Sequence, residues 1–175
     1  MKKTIALLLA LGLLAGCTPQ GQAPSASGDV SANSAMTRYE QATLYLPNDN
    51  ADGLVEESAR IEVTDPDNKA GPAEDLVQAL VSGGALPEGT EVRSVQLGKA
   101  EDGTETKLTV DLNAGFADGL RQRGTAGETM ILASLVNTLW AYYEPSEIVL
   151  TVGGNPLETG HNIYEEPFTG PYTFD

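Results

Sequence analysis

The sequence predicts an α+β fold: a single two-layer domain with two helices packed on one face of a small mixed β-sheet, in the order ββαββαβ. Three observations lead there. Apolar and polar residues alternate in short segments, as Ala59, Ile61 and Val63 do with Arg60 and Glu62, and Leu108, Val110 and Leu112 do with Thr109 and Asp111. Two longer segments carry apolar residues at helical intervals: Ala73, Leu76, Val77 and Leu80, and later Leu132, Leu135, Val136 and Leu139. No repeat or linker divides the chain after Tyr39, so these elements share one core over residues 38–175.

Residues 42–46 make a short first strand, halted by Pro47 and the turn-forming run Asn48-Asp49-Asn50-Ala51-Asp52-Gly53. Residues 59–63 make the second. Asp65-Pro66-Asp67-Asn68 breaks it, and Pro72 opens a helix at the position where its missing N–H costs nothing. Gly83-Gly84 ends that helix. After the turn Leu86-Pro87-Glu88-Gly89-Thr90, residues 92–97 and 107–112 read as two strands joined by the hairpin signal Glu101-Asp102-Gly103. Thr125 and Glu128 have capping-box spacing at the start of a long helix, which keeps its apolar intervals through Tyr142 and Tyr143 up to Pro145. Residues 148–152 are apolar enough for a central strand, and Gly153-Gly154 turns the chain. The segment 155–175, with its three prolines and several aromatics, is expected to cross the domain in irregular form.

The 175 residues include 10 Lys plus Arg against 25 Asp plus Glu, a net charge of −15. So acidic a surface repels phosphate backbones, and no basic run overrides it, which excludes nucleic acid as a partner. One Cys and one His exclude intramolecular disulfides, zinc clusters and most nucleophilic constellations. A serine nucleophile would depend on His161, and no Gly-x-Ser-x-Gly elbow is present, so His161 reads as a turn residue bonding backbone groups. The carboxylate pairs Glu56-Glu57, Glu101-Asp102 and Glu165-Glu166 read as a solvated face rather than a glycosidase pair. Asn48-x-Asn50-x-Asp52-Gly53 imitates half a calcium loop, but its twelfth position is Ala59, and Asp65-x-Asp67 has Ala70 at its sixth. The chain is read as a non-enzyme with no cofactor and no metal.

Met1, Lys2 and Lys3 precede an apolar run over residues 4–14 and the small residues Ala15 and Gly16. This is a secretory signal, too short for a stable span of ~30 Å of hydrocarbon. Leu14-Ala15-Gly16-Cys17 resembles the bacterial lipobox, which implies a diacylglyceryl group on the Cys17 thiol and cleavage before it. The alternative is an ordinary signal with an incidental cysteine. The chain then divides into a signal peptide over 1–16, a lipidated cysteine and flexible tether over 17–37, and the domain. Loss of Lys2 and Lys3 leaves 8 basic residues against 25 acidic ones, a net charge of −17. Acyl chains at ~0.8 kcal/mol per buried methylene hold such a domain on a bilayer that its charge would not. The tether, rich in Ser, Ala, Gly, Gln and Pro, has a random-coil reach of about 25 Å. The expected location is the cell membrane, lipid-anchored on its extracytoplasmic face. Thr18 is not the aspartate of the usual inner-membrane retention signal in a two-membrane cell.

Leu44-Tyr45-Leu46-Pro47, Leu54-Val55-Glu56-Glu57 leading to Arg60, Leu80-Val81-Ser82-Gly83-Gly84 and Leu86-Pro87-Glu88-Gly89-Thr90 resemble successive motifs of the GerMN domain of sporulation and spore germination. Leu135-Val136-Asn137-Thr138-Leu139, followed by Ile148-Val149-Leu150-Thr151-Val152-Gly153-Gly154, is similar to the family's second helix and closing strand. Thr109-Val110-Asp111-Leu112-Asn113 resembles its Val-Asp-Leu-Ser element, with Asn113 in the serine's capping place. The resemblance runs from about Tyr39 to Tyr164. It implies a non-catalytic, lipid-anchored envelope protein with an envelope protein as partner. The alternative is a peptidoglycan or wall-glycan binding module. Asn137 and Thr138, polar within an apolar helix, read as structural hydrogen-bonding groups, with a contact surface as the other possibility. Trp140, Tyr142 and Tyr143 read as core packing, against an aromatic platform for a glycan or a partner.

Overall fold

The computed structural model describes residues 38–174 except 64, 66, 100–102, 104 and 105. The expected signal peptide, Cys17 and the expected tether, together with Glu101 and Asp102 of the expected hairpin turn, lie outside the described residues.

Strands β1 (Arg38–Pro47) and β2 (Leu54–Val63) form an antiparallel hairpin, from Arg38 opposite Val63 to Pro47 opposite Leu54. Both outrun their apolar alternation because polar pairs extend the ladder. The Ser58 hydroxyl donates to Gln41 Oε1 at 3.1 Å, and the Arg60 guanidinium lies 3.8 Å from the centroid of the Tyr39 ring. Helix α1 (Pro72–Ser82) starts on Pro72 as expected and buries Ala73, Leu76, Val77 and Leu80. It ends in a Schellman motif, with Ala85 N donating to Leu80 O and Gly84 N to Val81 O. Gly84 takes the left-handed φ of 73° that this cap requires.

The second sheet has the order β3 (Val92–Lys99), β4 (Thr106–Leu112), β5 (Glu147–Val152), β6 (Asn155–Glu158), β7 (Ile163–Tyr164). Neighbours are antiparallel except β4 and β5, so the sheet is mixed and β5 lies centrally, as its apolar sequence predicts. A parallel pair needs a crossover. Here it is made by α2 (Ala114–Arg121) and α3 (Thr125–Tyr143).

The α+β class and the order of elements through β5 stand, with four corrections. The hairpin is a sheet of its own rather than part of one small sheet. Its free edge meets α3 instead of another strand, and the Tyr45 amide donates to Thr138 Oγ1 at 3.0 Å. The described residues hold three helices, not two: α2 escapes sequence reading because it has only eight residues and two are glycine. Gly119 is required there, since a Cβ would stand 2.3 Å from Cβ of Pro87. The segment 155–174 is not wholly irregular: it supplies β6, β7 and a bridge between Ile148 and Phe168. Finally, Thr125 and Glu128 do not form a capping box. The N-cap is Gly124, and the Glu128 side chain is buried.

Helix α3 is enclosed around nearly its whole circumference. Met130 to Val136 are all buried, as are Thr138 and Leu139, and Leu132, Leu135 and Leu139 share one core with Leu108, Val110, Ile148 and Leu150 of the larger sheet. Asn137 and Thr138 are hydrogen-bonded as expected. Thr138 accepts from β1, while Asn137 Nδ2 donates to Tyr172 O at 3.1 Å and Asn137 Oδ1 accepts from Tyr172 N at 2.6 Å. Asn113, the N-cap of α2, accepts from Phe116 N and Glu91 N and donates to Gly89 O at 2.8 Å, so one side chain joins β4, α2 and the 87–90 turn.

Replacing Asn113 by Ala is expected to lower stability by about 1–2 kcal/mol, read as a lower urea midpoint with an unchanged slope. Asn137→Leu strands both backbone groups of Tyr172 and is expected to cost about 1–3 kcal/mol, read as a lower melting temperature.

Candidate functional site

The groups with potential for chemistry are spread over the surface. His161 is exposed, and its backbone N–H donates to Thr159 Oγ1 at 3.2 Å. Glu56 and Glu57 are consecutive on β2, so they point to opposite faces, and both are exposed, as are Glu165 and Glu166. Asn48 and Asp52 bond each other within the hairpin turn, with Asn48 Nδ2 donating to Asp52 Oδ1 at 2.8 Å. Among the described residues no group of three or more His, Cys, Asp or Glu is placed to hold a metal ion.

Several of the concave features are lined by aromatic residues. One is a cleft of about 320 Å³ where the two sheets meet, between Val63 at the end of β2, Leu97 of β3, Lys69 before α1 and the end of α3. Tyr142 and Tyr143 stand in its wall, edge to face with centroids 4.9 Å apart. Neither hydroxyl is free: Tyr142 donates to Glu40 Oε2, and Tyr143 donates to the Ala70 carbonyl at 3.2 Å. Arg38 holds the other oxygen of Glu40 at 2.8 Å. Burial and the Glu40 carboxylate push the Tyr142 phenol well above its ordinary range, and burial with the neighbouring Tyr142 does the same to Tyr143. Asp75 is raised by burial and by repulsion from Glu62 and Glu74.

Trp140 does not join Tyr142 and Tyr143 in one platform. It lines a separate hollow of about 110 Å³ with Tyr45, Asn137 and Pro171. All three rings are half-buried and pack against the core, as the packing interpretation holds.

Sequence reading missed a third feature. Tyr164, Phe168, Tyr172 and Phe174 form a row with centroids 5.8, 6.2 and 6.4 Å apart. Its first ring is fixed by the buried Glu128, whose Oε1 accepts from the Tyr164 hydroxyl at 3.1 Å and from Thr159 Oγ1 at 2.8 Å. Burial first, then Glu128, push Tyr164 up to about 12. The signal available in the sequence was the spacing of aromatics among prolines in the last dozen residues.

These phenols have folded-state pKa values above the ordinary ~10. The folded state therefore holds protons that the unfolded state releases. Their contribution is complete below about pH 10 and is lost as pH rises from there through about 12. Denaturation midpoints should fall over that window, and phenolate absorbance should show late-ionising tyrosines in the folded protein only.

A family model described as Germane: Sporulation and spore germination matches residues 43–158, from within β1 to the end of β6. No curated protein matches the chain. Among solved structures it is similar to the tandem GerMN domains of the sporulation protein GerM from Bacillus subtilis, with 18% identity and a TM-score of 0.51 over 75% of this chain and 46% of that one. The chain thus spans about half the length of that tandem pair. It is also similar to the first GerMN domain of the same protein (18% identity, TM-score 0.49, 74% of this chain and 97% of that one). A Clostridium perfringens protein described as a lipoprotein is similar at 17% identity and a TM-score of 0.43, over 75% and 87% of the two chains. The match over most of the folded residues, with α+β elements in the order its motifs imply, shows that the chain belongs to the Germane family of sporulation and spore germination domains.

Proposed function

We propose that this is a bacterial envelope lipoprotein whose Germane-family domain binds a partner and performs no chemistry, acting in sporulation, germination or assembly at the cell surface. The observation that carries this reading is the join between a family domain and a lone cysteine, Cys17, which ends Leu14-Ala15-Gly16-Cys17 and precedes a tether of polar and small residues. No helix of the described residues is long and apolar enough to cross a membrane. A lipid on Cys17 supplies the attachment, and the tether sets the domain off the bilayer on its extracytoplasmic face.

Binding without catalysis is supported by how the surface is built. The tyrosine hydroxyls of the inter-sheet cleft are committed to Glu40 and to a backbone carbonyl. The outer strand β3 carries exposed Arg93, Ser94 and Gln96, and Val55 on β2 is 48% exposed, so both sheets present an edge to a partner protein of the envelope. A wall glycan is the second reading, favoured by the aromatic row of the C-terminal segment.

Replacing Cys17 by Ser is expected to move the protein from the detergent phase to the aqueous phase and to abolish labelling by palmitate. Unchanged partitioning would sink the anchor.

A further inference from the structure

Where the segment after α1, the first turns of α3 and the end of β1 meet, the surface holds a hollow of about 260 Å³. Its lining includes the buried Leu86, Met130 and Ile131, and every residue around it is apolar or glycine except Arg123. Arg123 also borders a second hollow, of about 570 Å³, which is polar and lined by Ser82, Glu88, Asp118 and Gln122. We propose that these adjoining hollows receive the carboxyl terminus of a partner protein whose last side chain is small and aliphatic, with a basic residue shortly before it. The proposal rests on the reading of the domain as one that binds an envelope protein, and it names the part of that protein which is bound.

Arg123 differs from the other guanidinium groups of the domain. Among the described residues Arg38, Arg93 and Arg121 are paired with carboxylates and Arg60 lies over the Tyr39 ring, whereas Arg123 has neither kind of partner. Its stem is nonetheless placed. A Cβ on Gly127 would stand 3.0 Å from Arg123 Cβ, so the glycine in the first turn of α3 leaves room for the stem to lie against the helix. A free guanidinium beside an otherwise apolar hollow calls for a ligand with one carboxylate and a short apolar body. The planar fork donates two parallel hydrogen bonds to the two carboxylate oxygens.

A carboxyl-terminal residue carries both groups on one Cα. An internal Asp or Glu does not, because neighbouring side chains of an extended chain point to opposite faces, so an acid on Arg123 would turn its apolar neighbour away from the hollow. The apolar hollow is below the usual volume of small-molecule sites, roughly 300–1,000 Å³, and has room for one aliphatic side chain. The polar hollow takes the residues before it, with Ser82 and Gln122 as partners for peptide N–H and C=O groups. Asp118 is held by Arg121 at 2.9 Å, while Glu88 has no ion pair among the described residues and attracts a basic side chain. The walls are firm before any ligand arrives. Ala85 N donates to Leu80 O at 2.9 Å, and Thr90 Oγ1 donates to Pro87 O at 2.7 Å, so binding orders little of this chain.

The test follows the fluorescence anisotropy of an N-terminally labelled peptide, Gly-Ser-Lys-Gly-Val, with the mature lipoprotein in detergent micelles. The free acid is expected to bind, and its carboxamide about tenfold more weakly, because the amide brings no charge to Arg123. Arg123→Gln should reproduce that loss and Arg123→Lys should recover only part of it, the thermal melt staying in place because Arg123 is exposed. Ala126→Leu, at an exposed position beside the apolar hollow, should fill it and weaken the free acid as well. No binding of the free acid, equal binding of acid and amide, or binding that Arg123→Gln leaves unchanged overturns the site. Tighter binding of the same peptide with a D-configured last residue overturns the partner protein in favour of a wall peptide. A protein that ignores the peptide yet remains in the detergent phase through Cys17 refutes the site while the envelope reading stands.

Discussion

A helix that is apolar on every side has to be enclosed on every side, and α3 imposes that requirement on the rest of the domain. Buried residues run almost without interruption from Met130 to Leu139, so one sheet cannot cover it. The larger sheet shares its core with Leu132, Leu135 and Leu139, the β1–β2 hairpin lies along it through Thr138, and the C-terminal segment meets it at Asn137. The hairpin and the C-terminal segment are each tied by hydrogen bonds to a polar residue set into the apolar helix, Thr138 and Asn137. Such bonds add little net stability but fix which part of the chain sits where, because misplacing either partner leaves a buried polar group without a bond.

The motifs that link the chain to its family have matching physical duties. In Thr109-Val110-Asp111-Leu112-Asn113, the apolar residues are buried while Asp111 and Asn113 collect neighbouring elements. Asp111 Oδ1 accepts from the Thr151 hydroxyl and the Gly154 amide, each at 2.7 Å, and its other oxygen lies 3.4 Å from Arg93 Nε. That single carboxylate spans β3, β4 and the turn after β5. Asn113 does the same for α2 and the 87–90 turn. Gly153-Gly154 takes left-handed conformations, with φ of 59° and 80°, that bring the Gly154 amide to Asp111.

Much of this was legible in the sequence, for reasons that also explain what was not. Strands and helices whose apolar residues keep one period were readable, including the start of α1 at Pro72 and the central place of β5. Helix α2 hides because Gly115 and Gly119 make a weak local helix, stabilised instead by the Asn113 cap and by Phe116 and Leu120 in the core. Strands β6 and β7 are four and two residues long, too short to show alternation. Glu128 looks like a capping residue because its spacing from Thr125 is right, and only the fold reveals that Thr159 and Tyr164 come to it from the far end of the chain. Aromatic surfaces were the least legible. Trp140, Tyr142 and Tyr143 are near neighbours in sequence yet face two different hollows, while rings up to ten positions apart, from Tyr164 to Phe174, line up.

Asn137 and Thr138 are consecutive, and one grips the last described segment of the chain while the other grips the first strand. A pull applied to the backbone at Arg38 would therefore meet β1 first. Arg38 lies opposite Val63, the end of β2 that leads on into the domain, so the ten-pair ladder opens from that end one pair after another and the Thr138 contact at Tyr45 is reached only late. A ladder loaded this way behaves as a shock absorber: strain from a moving surface is spent in the hairpin before it reaches the larger sheet or the rings beyond it.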